Sequence, residues 1–278
     1  MLTGEREQIP APERRRLRVP PLLPARSRGF RRPRFWEEIL FIGVGYVLYT
    51  LIRNHGLSSD RSNSFDHAND VLSAERWLHI DMELAINKAV SSVNWLVQGT
   101  NYYYATMHFA VTIGVLLWLY FRHATHYRGV RTALYVTNYV ALLGFWLYPL
   151  TPPRMLSGEG YIDTVIVFHT WGSYGSSGVE SASNQFAAMP SLHCAWALWC
   201  GIVLIRLSTH TWLKVLGVVY PVMTVLVVMA TANHYILDAV GGVVVLAIGF
   251  GAQRLLFGRP AFADPPELAQ PAKISLPA

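Results

Sequence analysis

Hydrophobic positions in this chain gather in six long blocks, at about 36–52, 102–121, 130–150, 192–207, 212–232 and 235–257. A helix that crosses a bilayer needs about 20 apolar residues, within a range of roughly 17–25. The pattern therefore predicts an all-α, polytopic membrane protein with six transmembrane helices in a bundle. The first and fourth blocks are short. The first does not read as a cleaved signal peptide, because its Arg-rich lead is long and Arg53-Asn54-His55 lacks the small-residue cleavage pattern. Between the first two blocks, Val71, Leu72, Trp77, Leu78, Ile80, Leu84, Ile86 and Val90 alternate with acids at helical spacing. That spacing predicts an amphipathic helix near Asp70–Val90, suited to lie on the outer leaflet. The stretch 151–191 is rich in Gly and Ser and too long for a mere connector, which marks it as a functional or a disordered loop.

Composition agrees with a bilayer setting. Of 278 residues, 52% are apolar and only 14% charged, against about 25% charged in an ordinary soluble domain. Nine Trp and fourteen Tyr suit two lipid–water interfaces. The net charge of +6 is not spread over the chain: residues 1–35 carry +7, from ten Arg and three Glu, and the rest sums to −1. This basic stretch is also rich in Pro, so 1–35 is expected to be a disordered cytoplasmic tail against anionic lipid. It lacks the interleaved aromatics that nucleic-acid binding needs, so no nucleic-acid partner is expected. The other expected parts are a six-span catalytic domain over 36–257 and a short cytoplasmic tail over 258–278. Cys194 and Cys200 fall in one apolar block, six apart on a helix, and read as packing residues.

Loop charges set the orientation. Arg122, Arg128 and Arg131 cluster between the second and third blocks, Arg206 and Lys214 flank the turn after the fourth, and Arg254, Arg259 and Lys273 follow the sixth. The long loop 151–191 holds only Arg154. The positive-inside rule then places both termini in the cytoplasm and loops 53–101, 151–191 and the turn 233–234 outside, in a multi-pass protein of the plasma membrane.

Three unusual polar sets stand at block ends: Thr151-Pro152-Pro153-Arg154, Met189-Pro190-Ser191-Leu192-His193 and Asn233-His234-Tyr235-Ile236-Leu237-Asp238. Span counting brings all three to one face of the membrane. His234 and Asp238 are four apart and share a helix face. A carboxylate there can fix the imidazole tautomer and leave the other nitrogen as nucleophile or base; a helix-packing hydrogen bond is the plainer alternative. Ser191 can cap a helix whose free N–H groups favour an anion, and His193 beside it can protonate a leaving oxygen, although a capping turn with an interfacial His fits as well. Arg154 can fork onto phosphate oxygens or snorkel to headgroups. One cation, one helix start, two His and an Asp together meet the needs of phosphoryl transfer through a phosphohistidine.

Pro190-Ser191-Leu192-His193 with His234-x-x-x-Asp238 resembles the type 2 phosphatidic acid phosphatase superfamily of six-span lipid phosphatases. Pro152-Pro153-Arg154, Tyr161-Ile162-Asp163-Thr164, the string Asn184-Gln185-Phe186-Ala187-Ala188-Met189 before Pro190, and His234-Tyr235-x-x-Asp238 resemble its inositol phosphorylceramide synthase-related branch. The resemblance covers roughly 100–255. It implies that His234 is the nucleophile, Asp238 its orienting partner and His193 the general acid. Arg154 and Ser191 would bind phosphate, and Asn184, Gln185 and Tyr235 are pocket candidates. No metal and no cofactor are implied, and the partner is a lipid substrate drawn from the bilayer. Leu147 and Val228 stand where the superfamily carries phosphate-binding cations, and Leu192 replaces the Gly of Pro-Ser-Gly-His. Either backbone amides, Asn184, Gln185 or His169 compensate, or the substrate is a less charged phosphodiester, as a headgroup transferase would use.

Two other readings use the same residues. A non-enzymatic lipid-phosphate or isoprenoid-phosphate transporter would bind without turnover and tolerate Asp238→Asn. A metal-dependent hydrolase would use His193, His234 and Asp238 as ligands. An intramembrane serine protease fits poorly, since Ser191 lacks a Gly-x-Ser-Gly setting. The orientation has a direct check. A cysteine introduced within 155–185 is expected to react with an impermeant thiol reagent in intact cells, and one within 123–129 to stay unlabelled; the reverse pattern inverts the site.

Overall fold

The structure is a computed structural model that describes residues 20–31, 33–56, 61–168, 170 and 186–265. It is all-helical, 75% helix, with no strand among the described residues. The helices are α1 (Phe35–Gly56), α2 (Arg61–Leu78), α3 (Glu83–Ser91), α4 (Asn94–Arg122), α5 (Ala124–Leu147), α6 (Thr164–Val167), α7 (Leu192–Leu207), α8 (Thr211–Ala230) and α9 (Ile236–Phe257). Each of the six apolar blocks is thus helical. Three of them, α4, α8 and α9, are long and apolar enough to cross a membrane. The other three do not meet that measure; α7, at 16 residues, is shorter than the usual span.

Two expectations about the outer segments change. The amphipathic stretch is not one helix but two, broken where His79 takes the left-handed conformation (φ 57°) before Asp81. Part of its apolar face packs inward, with Ala68, Val71 and Leu72 of α2 against Leu150, Leu156, Ala188 and Tyr235, while Trp77 and Leu78 stay exposed. The second block also starts early, because α4 runs back to Asn94.

Of the stretch 1–35, expected to be a disordered tail, residues 20–31 and 33–35 are described, and residues 22–28 dock on the end of α9. The last carbonyls of a helix have no partner inside it, and this segment supplies donors to those of α9. The Leu23 amide donates to the Leu256 carbonyl (2.9 Å), and Arg28 Nη1 to the Phe257 carbonyl (3.3 Å). Arg259 donates to the Arg28 carbonyl and lies over the Phe30 ring. Arg and Pro content alone does not reveal such docking. The chain just after α9 is packed too, with Ala261 in the main core and Phe262 stacked on Phe250.

Lipid gives apolar helices little reason to prefer one another over acyl chains, so close packing and interhelical hydrogen bonds must hold them together. Both occur. The main core joins Val115 and Leu119 of α4, Val130 and Leu134 of α5, Trp199 and Val203 of α7 and Leu246 of α9. The indole of Trp199 donates to the Val130 carbonyl (3.1 Å), that of Trp196 to Asn138 (2.7 Å), and Tyr103 meets Thr224 (3.0 Å). Helix α1 is tied differently. Its Glu38 accepts from Arg131 and Tyr127, and the Arg131 guanidinium sits 5.1 Å from the rings of Phe41 and Tyr135. Arg131 Nε is buried without a hydrogen-bond partner among the described residues. The outer surface of α1, with Trp36, Leu40, Ile42 and Tyr46, is exposed.

One close approach sets the site. A Cβ on Gly242 would stand 2.6 Å from the Ser191 carbonyl oxygen, so only glycine lets the start of α7 reach α9. Gly242→Ala is expected to destabilise the fold by about 1–3 kcal/mol through overpacking. Gly251→Ala, on the same helix with open space around it, is expected to be neutral or to stabilise by about 0.5–1 kcal/mol from helix propensity. Thermal unfolding of the two purified variants in detergent checks the contrast.

Candidate active site

The site forms where the starts of α7 and α9 meet the segment after α5. Ser191 is the N-cap of α7: its Oγ accepts from the Cys194 amide (3.4 Å) and its own amide donates to the Asp238 carbonyl (2.9 Å). The two helix starts that carry His193 and His234 are therefore joined by a backbone hydrogen bond. After α5, the Leu150 amide donates to the Phe186 carbonyl (2.8 Å), and the Tyr235 hydroxyl donates to the Thr151 carbonyl (3.2 Å). These bonds hold Arg154 beside the turn that enters α9.

That turn is built by Ala232, which takes a left-handed conformation (φ 51°). Such a conformation is uncommon for a residue with a side chain. Here it points the Ala232 carbonyl at the Arg154 amide (2.9 Å). Arg154 Nε donates to Asn233 Oδ1 (2.9 Å) and Nη1 to Asp163 Oδ2 (2.8 Å). Nη2 makes no hydrogen bond to the described residues. Asp163 also accepts from the Val165 and Ile166 amides at the start of α6. Asn87, fully buried, fixes this segment by bonding both the amide and the carbonyl of Ile162.

His234 is 4% exposed. Its Nδ1 lies 2.9 Å from the Ala188 carbonyl and 3.2 Å from Asp238 Oδ2. A carbonyl can only accept, so Nδ1 carries a hydrogen, and in the neutral ring the lone pair is on Nε2. Nε2 is buried and has no hydrogen-bond partner among the described residues. Asp238 is fully buried, and its Oδ2 also accepts from the Tyr235 amide (2.9 Å), so it caps α9 as well as facing His234. The catalytic and the helix-packing readings of the pair describe the same atoms.

His193 lies 5.5 Å from His234, ring centre to ring centre, stacked on Tyr104 (4.3 Å) and edge-on to His108 (4.2 Å). Tyr104 and His108 belong to α4, and His108 Nδ1 bonds the Tyr104 carbonyl (3.0 Å). The rings of Tyr104, His108 and His193 face Val227 and Val228 of α8 across a narrow crevice. A wider, open cleft of ≈ 450 Å³ is lined by Arg154, Met155, Leu156, Ser157, Gly158, Gly160 and Tyr161. Arg154 and His193 thus border different cavities, linked through Asn233 and His234.

The structure brings together His193, His234, Asp238, Ser191 and, through Asn233, Arg154. Ser191 is fully buried and engaged as a cap. Tyr235, expected near a substrate pocket, is fully buried in the cluster beneath α2 and lines neither cavity. Asn184 and Gln185, like His169, lie outside the described residues. No group of three His, Cys, Asp or Glu among the described residues is placed to hold a metal ion.

Several contributors escaped the sequence reading. The Ala188 carbonyl has no side-chain signature. His108 had one, as an ionisable residue inside an apolar block. Glu75 and Glu83 had a weaker one: both are completely buried, and Glu75 falls four after Val71 and three after Leu72, on the apolar stripe.

The chain is thus all-helical, with three helices long and apolar enough to cross a membrane and a histidine–aspartate pair at a helix start. Residues 69–252 match the family model described as the PAP2 superfamily, and the chain belongs to that superfamily. Membership points to a phosphatase-type activity on lipid phosphates, and members are generally metal-independent. Neither a curated protein nor a solved structure matches the chain.

Proposed function

We propose that the protein is an integral-membrane lipid phosphatase or phospho-headgroup transferase that works through a phosphohistidine on His234. The observation that carries this reading is the state of His234. Nδ1 is committed to a carbonyl and a carboxylate, while Nε2 is buried, carries its lone pair and has no partner among the described residues. A free nitrogen in a low-dielectric setting is a competent nucleophile toward phosphorus. Attack by Nε2 forms the N–P bond as the bond from phosphorus to the leaving oxygen breaks. His193 gives that oxygen its proton, then takes one from water or an alcohol acceptor, whose oxygen displaces His234. Arg154 presents Nη2 to the phosphoryl oxygens, and the start of α7 at Ser191 adds its dipole.

The topology belongs to the same reading. The six apolar blocks support six crossing helices, and the loop charges support termini in the cytoplasm with the site at the outer face of the plasma membrane. The inositol phosphorylceramide synthase-related motifs and the residues standing in place of two superfamily cations favour a phosphodiester substrate, and with it transfer to an alcohol over hydrolysis. The substrate reaches the site from the bilayer.

Specific activity per folded molecule tests this against a purely structural role. His234→Ala is expected to lower turnover by about 10⁴–10⁶. Asp238→Asn is expected to cost several orders of magnitude while the fold survives. Wild-type activity should persist in a strong chelator and fall with vanadate. Near-normal specific activity of His234→Ala contradicts the mechanism, and loss on chelation restored by zinc favours a metal hydrolase.

A further inference from the structure

We propose that Glu75 and Glu83 are positioning residues for the His234 centre, a pair of carboxyl groups that shares one proton and clasps the first amides of α9. The proposal rests on the enzymatic reading of His234 given above. Glu75 Oε1 accepts from the Leu237 amide (2.7 Å), and Glu83 Oε1 accepts from the Ile236 amide (2.8 Å). With Asp238 on the Tyr235 amide, three consecutive amides each meet a carboxyl group. They lie between His234 and Asp238 in sequence, so the orientation of both side chains follows from them.

The second oxygens of the pair call for a proton. Glu75 Oε2 and Glu83 Oε2 are buried with no hydrogen-bond partner among the described residues, and their other oxygens bond the adjacent amides of Leu237 and Ile236, which sets the two carboxyl groups side by side. Two carboxylates so placed cannot both stay charged. A single proton between them removes the repulsion and gives each free oxygen a partner. Among the described residues, the groups facing Glu75 are Glu83 on α3, Asp238 on α9, and the hydroxyls of Tyr161 and Tyr235, with no cation among them. Arg76, next on α2, is engaged by Glu159.

Burial, then the hydrogen bond with Glu83, and the charges of Glu83 and Asp238 push Glu75 up to about 9, against the Leu237 amide, which lowers it. A carboxyl raised on folding keeps its proton at neutral pH. The stability it lends is complete below the ordinary carboxyl range and is lost as pH rises through about 9. Ionisation there sets two negative charges against each other and loosens the start of α9. The geometry therefore assigns α2 and α3 a task beyond covering the site: they hold the nucleophile's helix in register.

Glu75→Gln separates positioning from bulk stability. Its amide keeps an oxygen for Leu237 and supplies Glu83 with a permanent donor. At pH 7 it is expected to keep turnover within about threefold of wild type. Above about pH 9 wild-type turnover should fall while Glu75→Gln persists. Glu75→Ala should lower kcat by about 10–100-fold with little change in KM, as a small misplacement does. Coincident alkaline limbs for wild type and Glu75→Gln overturn the proposal, as does normal kcat in folded Glu75→Ala. Melting is read separately and needs no turnover: raising the pH from 4.5 to about 9 should lower the wild-type Tm more than that of Glu75→Gln. Parallel melting overturns the shared proton even in an active enzyme. Absence of wild-type turnover with the pH-dependent melting intact overturns the enzymatic reading and leaves the clasp standing.

Discussion

The start of α9 is the constraint on which the site depends. A helix leaves its first amides without partners inside it, and here those amides belong to a buried Tyr235 and half-buried Ile236 and Leu237. An unsatisfied buried amide costs on the order of 1–3 kcal/mol, and more where hydrocarbon surrounds it. The protein meets the amides of Tyr235, Ile236 and Leu237 with Asp238, Glu83 and Glu75. Because those acids come from α9, α3 and α2, satisfying one helix end draws the outer helices over the site. The Asp238 carbonyl accepts from Ser191, which brings α7 to the same point.

The chemistry of His234 follows from that arrangement. The residue stands just ahead of the capped amides, and its Nδ1 reaches the Ala188 carbonyl as well as Asp238. The carbonyl is the nearer acceptor and cannot donate, so it settles the tautomer even before the carboxylate is considered. Arg154 is held equally firmly, by Asp163 and Asn233. A guanidinium already bound on two sides keeps its remaining donors in one direction, which lowers the ordering cost of meeting an anion. The small residues at the helix contacts serve the same end, since Gly242 lets the backbone of Ser191 approach α9.

Much of this was legible in the sequence for identifiable reasons. Apolar run length located the helices, because a crossing helix has to be apolar over its whole length, and the fourth block agrees with α7 at both ends. Polar residues at block ends pointed to positions that the structure brings together at the starts of α7 and α9, because ionisable groups in such places are costly and few. The break at His79 was not legible: the apolar spacing continues through it, and the turn depends on a backbone conformation that His does not announce. Docking of residues 22–28 on the end of α9 was hidden because it runs largely through backbone carbonyls. Tyr235 was drawn toward a pocket by its place in the motif, whereas the structure uses it as a buried strut to Thr151.

The central claim is a covalent bond between phosphorus and His234, and chemical trapping tests it most directly. The His193→Ala protein is incubated with a labelled phosphate ester that has a good leaving group. That group departs without an acid, and with His193 absent no base activates the acceptor. The account predicts labelled phosphate on the protein that is labile to acid, stable to alkali, located on His234 by peptide mapping, and absent when His234 is also replaced. Label on another residue, or turnover with no label trapped while His234 can be replaced without effect, contradicts it.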